Sequence, residues 1–532
     1  MAPRYRVLIA DPISSAGLAP LTRDGRFELV EASGLTEDEL ARAIAPCDAV
    51  IVRSATRITR ASLAQAHRLR VIGRAGVGVD NIDVAAATER GVAVLNAPSG
   101  NTVSAAELTF ALLLSLARSI AAADRSMRAG EWDRKSFSGF ELYGKTLGLV
   151  GAGRIGGAVA RRARAFGMHV LVHDPYLSAE RAQELDVQRA ALDDIIEHAD
   201  VISLHVPLTE STTGLLGSAE LARMKPGAVI VNAARGEVID EDALVAALAN
   251  GTIAGAALDV FAREPLPADH PLRSLPNVVL TPHLGAQTVE AQANVALEIT
   301  DAVRRALVDG DMTSAVNAPA IGGEQMRRLR PLLSLAERLG RLAAALADDP
   351  ITRIGVRYGG PHEDAMKPIA CAALTGVLRD VVGIGAVNLV NAIHIAETRG
   401  IEVERTRVGT HGSDEEFVEI RLSAEEGDIR VSGALVAGRH PRIVRINRFR
   451  LVVHPSGTLL IIRNRDVPGV IGAVGTVLGA ARINIGEYHQ ARLQAGGEAL
   501  AAVSVDGRIA DDVLRGLRAL ADVVDARQVD LA

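Results

Sequence analysis

The chain has 532 residues, 48% of them hydrophobic and 23% charged, which excludes a wholly disordered protein and makes three or four domains the expectation. A net charge of −6 at pH 7 argues against non-specific nucleic-acid binding, which needs a basic footprint. Cys47 and Cys371, the only two cysteines, cannot build a disulfide framework or a thiolate metal site. The N-terminal apolar run stops at Asp11 and Pro12, too short for a secretory signal core, and the longest apolar window, 105–117, falls short of a membrane span. The expectation is a cytoplasmic protein with neither a nucleic-acid nor a membrane partner.

In chain order, RVLIAD (6–11), DAVIVRS (48–54), LRVIGRAG (69–76) and GVAVLNAP (91–98) read as buried parallel strands, with a helix over 36–45 opened by Thr-Glu-Asp-Glu. One long alanine- and leucine-rich helix is predicted over 104–129. The strand rhythm then restarts with TLGLVG (146–151), HVLVHD (169–174), ADVISLHVP (199–207), GAVIVNAA (227–234), GAALDVF (255–261) and NVVLTPH (277–283). This alternation predicts two doubly wound, Rossmann-like α/β domains. Near residue 320 glycine and charge replace the rhythm, so AIGGEQMRRLRP (320–331) is expected to be a linker ahead of a helix over 332–347. Strands ITRIGVRY, FVEIRLSA, RIVRI and FRLVVH around a helical middle at 370–396 predict an α+β domain. The last segment, 457–532, reads as one ferredoxin-like βαββαβ module.

The strongest local signal is Gly151-Ala-Gly153-Arg154-Ile155-Gly156, which follows a strand and opens a helix. Such a turn lets backbone amides and the positive end of a helix approach a pyrophosphate. Asp174 ends the next strand, 18 residues after Gly156, where a carboxylate accepts both ribose hydroxyls and repels a 2′-phosphate; NAD is the expected cofactor. Three charged residues lie just past strand ends: Arg235, Glu264 and His283. Histidine suits proton abstraction from a secondary alcohol, arginine binds a carboxylate with a fork of donors, and a glutamate beside the imidazole fixes its tautomer. No metal is expected, since His169 and His173 share a strand face without a third ligand at suitable spacing.

The glycine loop with Asp174, VNAARG (231–236), LDVFAREP (258–265) and TPHLGA (281–286) together resemble the D-isomer-specific 2-hydroxyacid dehydrogenases in order and spacing, over residues 1 to about 317. The resemblance implies that Arg235 binds the substrate carboxylate, Glu264 pairs with His283, and His283 is the acid/base. It also implies that Asp259 lies near the nicotinamide amide, while His205, Val206, Pro207, Thr213, Ala233 and Gly285 shape the cofactor pocket. The chain would form its substrate domain from 1–98 and 290–317, and its NAD domain from 99–289.

Val52-Arg53-Ser54-Ala55, GRAGVGVDNID (73–83) and NAPSGNTVSAAE (96–107) resemble the branch of that family acting on 3-phospho-D-glycerate. Arg53, Ser54, Arg74, Gly76 and Asn101 are then candidate substrate contacts, and Arg134, with Lys135, a candidate reaching a neighbouring subunit's cleft. RNRDVPGVIGAVGTVLGAARINI (463–485) resembles an ACT regulatory module over 457–532, in which Asp466, Gly469 and Asn484 would grip an amino acid, serine being the expected effector. Residues 318–456 resemble the intervening domain of long-form members; Arg439, His440, Arg442, Arg445, Arg448 and Arg450 there form either an anion site or a charged oligomer face. A homodimer or homotetramer is expected. Two rival readings are a dehydrogenase for another D-2-hydroxy acid and a non-catalytic NAD-sensing protein.

Overall fold

A computed structural model describes residues 5–383, 385–409, 416–424 and 427–531. Short β-branched runs pair into a five-stranded parallel sheet in the spatial order Phe27–Glu31, Tyr5–Ile9, Ala49–Val52, Val71–Arg74, Ala93–Asn96. Both faces are covered, which explains why its central strands read as continuous apolar runs. On one face Leu40 and Ile44, from a helix opened by the Thr36–Glu39 capping box, pack on Leu8, Val50 and Ile72. On the other, Val295, Ile299 and Val303 of the helix Val289–Asp309 pack on Ile51, Val71 and Leu95. The strand Phe27–Glu31 escaped the sequence reading because Glu28 and Glu31 break its apolar run at the sheet's edge.

A second parallel sheet has seven strands in the order Val278–Leu280, Gly255–Leu258, Val229–Asn232, Val201–Leu204, Thr146–Val150, His169–His173, Gln188–Arg189. The order reverses between Val201–Leu204 and Thr146–Val150, and a crevice at the carboxyl ends of such strands is where doubly wound sheets bind ligands. The predicted single helix over 104–129 is instead two, Thr102–Ala117 and Ile120–Arg128, bent by 63°. Ser119 breaks the ladder in the left-handed region (φ 52°), and the Ala117 carbonyl accepts the Phe140 amide at 3.0 Å. Among the described residues no single helix is long and apolar enough to cross a membrane.

From Gly323 on, the residues predicted as a linker are helical: Gly323–Ala345 continues through Pro331. Proline removes one amide from the ladder, but Leu329, Leu332, Leu335 and Leu339 are buried on both sides of it, and tertiary packing overrides the local penalty. This helix lies against Met366–Val382 and a six-stranded sheet ordered Glu402–Val408, Arg353–Gly359, Glu416–Ala424, Gly427–Val436, His440–Ile446, Phe449–Val453. Only its first pair is parallel. In the basic run, Arg445 stands opposite Arg450, Arg448 lies 3.7 Å from Glu498, and a bulge between Ile443 and Arg445 disrupts the simple alternation that would put every cation on one face.

The last unit is an antiparallel sheet ordered Ile485–Arg492, Glu498–Val505, Thr458–Arg465, Val523–Asp530, with the helices Val470–Ala480 and Asp511–Arg518 on one face. Its other face, through Leu459, Ile461, Leu500, Ala502 and Val529, belongs to the same apolar cluster as Leu335, Leu339 and Ile369. Arg527 ties this junction by donating to Asp348 Oδ1 (2.5 Å) and the Ala345 carbonyl (3.3 Å).

Candidate active site

The glycine loop sits at the end of Thr146–Val150 and caps the helix Arg154–Ala165. Gly151 has φ 93°, and a Cβ there would meet the His205 carbonyl at 2.5 Å; a Cβ on Gly156 would collide with the Gly151 carbonyl. At Gly153 a Cβ would meet nothing within 4 Å, so the space over the helix start is open. Asp174 folds back onto this loop, its two oxygens accepting the Ala152 amide (2.7 Å) and the Tyr176 amide (2.8 Å). A cradle too tight for side chains, an open helix N-terminus and a carboxylate beside them fit a dinucleotide. Arg154 is exposed and Ile155 half-buried at that helix start.

His205 follows the central strand Val201–Leu204; burial pushes its pKa down to about 4, so it is neutral, and its Nε2 lies 2.8 Å from Ser203 Oγ. Val206 borders Gly151. The Pro207 carbonyl accepts the Thr212 hydroxyl at 2.6 Å, and Thr213 Oγ1 donates to the Thr209 carbonyl at 2.7 Å, so the Thr213 hydroxyl braces its own loop.

His283 and Glu264 meet: Nδ1 lies 2.7 Å from Oε2, while Glu264 Oε1 accepts the Phe261 amide at 3.1 Å. The Glu264 hydrogen bond raises the His283 pKa above its usual value against the opposing effect of burial. Burial would raise the Glu264 carboxyl, but the bond and charge of His283, the Phe261 amide and Arg235 together hold it below the usual range. Both groups border a cavity of about 550 Å³ lined also by Leu266, Arg273 and Pro282. The backbone at His283 is left-handed (φ 56°), and its amide donates to the Asp259 carbonyl at 2.9 Å.

The buried carboxylate of Asp259 accepts Thr281 Oγ1 (2.6 Å), the Leu284 amide (2.7 Å) and the Gly285 amide (2.9 Å), and so holds the 281–285 loop that carries His283. Burial raises its pKa, and those three donors oppose the rise.

Arg235 leaves the strand Val229–Asn232 in a turn that includes Ala233 and is clamped by Asn232, whose amide donates to the Arg235 carbonyl at 2.8 Å. Its guanidinium reaches the Ala234 carbonyl (2.6 Å) and, across the cleft, Asp80 Oδ2 (3.2 Å). Arg74 lies nearby: burial lowers its pKa, and the charge of Arg235 adds to the effect. Its guanidinium occupies the space a Cβ on Gly76 would need. Arg53 is held by its amide to Asp11 Oδ2 (2.5 Å) and, with Gly76, lines a smaller cavity whose wall includes Ala286, next to Gly285. Ser54 is exposed. Asn101 stands at the N-cap position of the helix Thr102–Ala117 without a side-chain capping bond, its Oδ1 buried and unpartnered among the described residues. Arg134 is exposed within 131–139 and touches none of these groups.

Sequence reasoning missed Asp80, although it lies within the quoted GVGVD string, because only a fold can bring it to Arg235. It also missed Glu298, which accepts the Ser99 (3.2 Å) and Gly100 (2.8 Å) amides from 199 and 198 residues away and so sets the SGN loop.

In the C-terminal unit, Gly469 caps Val470–Ala480 with φ 97°. Asp466 and Asn484, the residues expected to grip an amino acid, each have a partner in the same unit. Asp466 Oδ2 accepts Arg492 Nη1 at 3.1 Å, and Asn484 donates to Asp506 Oδ2 at 2.9 Å. Under the same helix, Asn464 Oδ1, Tyr488 OH and Gln490 Oε1 are buried without a hydrogen-bond partner among the described residues. No sequence pattern had singled them out.

This chain is 40% identical over 529 residues to the D-3-phosphoglycerate dehydrogenase of Bacillus subtilis (strain 168), covering 99% of this chain and 100% of that protein. The enzyme of the same name from Methanocaldococcus jannaschii is also 40% identical, over 99% and 100% of the two lengths. The chain belongs to the D-3-phosphoglycerate dehydrogenase family. Residues 110–285 match the NAD binding domain of the D-isomer specific 2-hydroxyacid dehydrogenases, and residues 328–447 the intervening domain of D-3-phosphoglycerate dehydrogenase. Among solved structures, the TT0316 protein of Thermus thermophilus is 38% identical with a TM-score of 0.54, over 58% of this chain and 99% of its own. An NAD-dependent formate dehydrogenase from Staphylococcus aureus, solved with NAD, is 31% identical with a TM-score of 0.52, over 57% and 96%.

Proposed function

We propose that this chain oxidises 3-phospho-D-glycerate to 3-phosphohydroxypyruvate with NAD, the opening step of L-serine biosynthesis, using Arg235, Glu264 and His283. The observation that carries the assignment is the 2.7 Å His283–Glu264 pair, with Arg235 close enough for both to feel its charge, beyond the carboxyl ends of the same parallel sheet. NAD, cradled by Gly151, Gly153 and Gly156 and discriminated by Asp174, supplies the hydride acceptor. Neutral His283 takes the hydroxyl proton, and Glu264 stabilises the imidazolium that results. Arg235 binds the substrate carboxylate with two donors and steadies negative charge on the carbonyl oxygen. Arg53 and Arg74 supply the further cations a phosphate needs. Asn101 and Arg134 would enter only if the cleft closes or a second subunit contributes.

The working division is 1–98 plus 290–317 for substrate, 99–289 for NAD, an intervening unit at 318–456 and an ACT module at 457–532. Serine is its effector, held near Asp466, Gly469 and Asn484. The βαββαβ order and the three unpartnered polar atoms beneath the first helix support an amino-acid ligand, whose ammonium and carboxylate would supply missing partners. We place the protein in the cytoplasm as a homodimer or homotetramer.

A steady-state assay on phosphorylated and plain D-glycerate with NAD, with and without serine, tests the assignment. Turnover preferring the phosphorylated acid and falling with serine is expected. Equal rates on both acids would overturn the substrate, and insensitivity to serine would overturn the effector.

A further inference from the structure

Arg235 and Asp80 reach each other from different sheets. Arg235 follows the strand Val229–Asn232 of the seven-stranded sheet, and Asp80 lies in the loop after Val71–Arg74 of the five-stranded one. The guanidinium lies directly over Gly78, where a Cβ would collide with Arg235 Nη2 and stand 2.5 Å from Asp80 Oδ2. The loop is therefore shaped to seat this ion pair.

Asp80 also faces a second cation. Arg74 is half-buried, its Nε is buried with no hydrogen-bond partner among the described residues, and Arg235, Asp80, Arg53 and Asp11 are the charges that act on it. The two acids differ sharply in freedom. Asp11 is 3% exposed, and its carboxylate is occupied by the Arg53 amide, the Thr56 amide and the Thr56 hydroxyl. The Asp80 side chain is 65% exposed and meets Arg235 through a single 3.2 Å contact. A buried carboxylate could not let go without stranding a charge, whereas an exposed one turns into water at little cost.

We propose that Asp80 is an internal stand-in for the substrate carboxylate, holding Arg235 across the cleft until the hydroxy acid arrives and then surrendering that guanidinium to it. This rests on the reading that Arg235 binds the substrate carboxylate. Asp80 is thus a positioning residue that competes with substrate. Arginine offers one planar fork, so two carboxylates cannot both claim its best face, and the like charges repel. A trianionic phospho-acid wins that exchange because Arg53 and Arg74 hold its other end.

The test is steady-state kinetics of the full chain with 3-phospho-D-glycerate at saturating NAD, for wild type, Asp80→Asn, Asp80→Glu and Arg235→Lys. An ion pair this exposed is worth a factor of about three to five, so Asp80→Asn should lower KM by about that factor, and the inhibition constant of inorganic sulfate should fall in parallel. Asp80→Glu restores the competing charge and should return KM towards wild type. A KM for Asp80→Asn equal to or above wild type, or one that Asp80→Glu shares, overturns the stand-in. Asp80→Ser repeats the measurement should Asn disturb the loop. Arg235→Lys separates the two failures: if it raises KM while Asp80→Asn does nothing, only the stand-in is wrong. If Arg235→Lys leaves KM unchanged, the assignment of Arg235 itself fails.

Discussion

The two halves of the chain solve the packing problem in opposite ways. In the catalytic half each parallel sheet is sandwiched between helices that belong to it, and the two sheets face each other across a cleft. Contact between them at the site is polar and open, as between Arg235 and Asp80. In the C-terminal half one apolar cluster runs through both the intervening elements and the terminal sheet, with the helix Gly323–Ala345 between them. The first arrangement leaves Arg235, Glu264 and His283 at strand tips beside a polar contact; the second joins two sequence modules through one apolar core. Substitutions should therefore act on chemistry in the first half and on cooperative stability in the second.

The largest effect should be His283→Ala, with kcat falling about 10²–10⁴-fold while NAD binding, followed by titration, is unchanged. Loss of NAD binding would break the comparison by showing that the site cannot be separated from its scaffold. Leu339→Ala should cost about 2–5 kcal/mol in denaturant unfolding and leave kcat near wild type, with intervening and terminal units melting together. Two transitions would show that the shared cluster does not couple them.

Glu264→Gln should lower kcat about 10–100-fold and move the acid limb of the oxidation profile to lower pH. The sign follows from His283: its pKa lies above the usual value because of Glu264, oxidation needs the neutral ring, and so wild-type activity falls as pH drops through that raised pKa. The stability that the raised pKa contributes is present below the unfolded value and is lost as pH rises through the folded one. An unmoved limb in the variant would exclude the pair as the cause. The smallest effect belongs to one of the contacts between the halves. Asn388 donates to the Gly91 carbonyl at 2.9 Å, and Asn388→Ala should cost about 1 kcal/mol with kcat unaltered.

Legibility followed the same division. The strands of the parallel sheets, buried on both faces, announce themselves as uninterrupted apolar runs, and Gly151–Gly156, Arg235, Glu264 and His283 stand at their ends. Edge strands such as Phe27–Glu31 and the exposed Glu402–Val408 carry charges that hide them. The break at Ser119 and the continuity through Pro331 ran against local expectation, because each is set by what packs beside it.

The sequence by itself determined the parallel architecture and the glycine loop, and it placed Arg235, Glu264 and His283 just past strand ends. These depend on residue type at strand ends, and local periodicity carries that information. Only the tertiary structure decided that Asp80 meets Arg235, that Asp259 holds the 281–285 loop, that Glu298 sets the 99–101 turn, and that the last two units share a core. Each of those is a pairing of groups far apart along the chain. Their free energy comes from desolvation and contact in three dimensions, which no window of sequence contains.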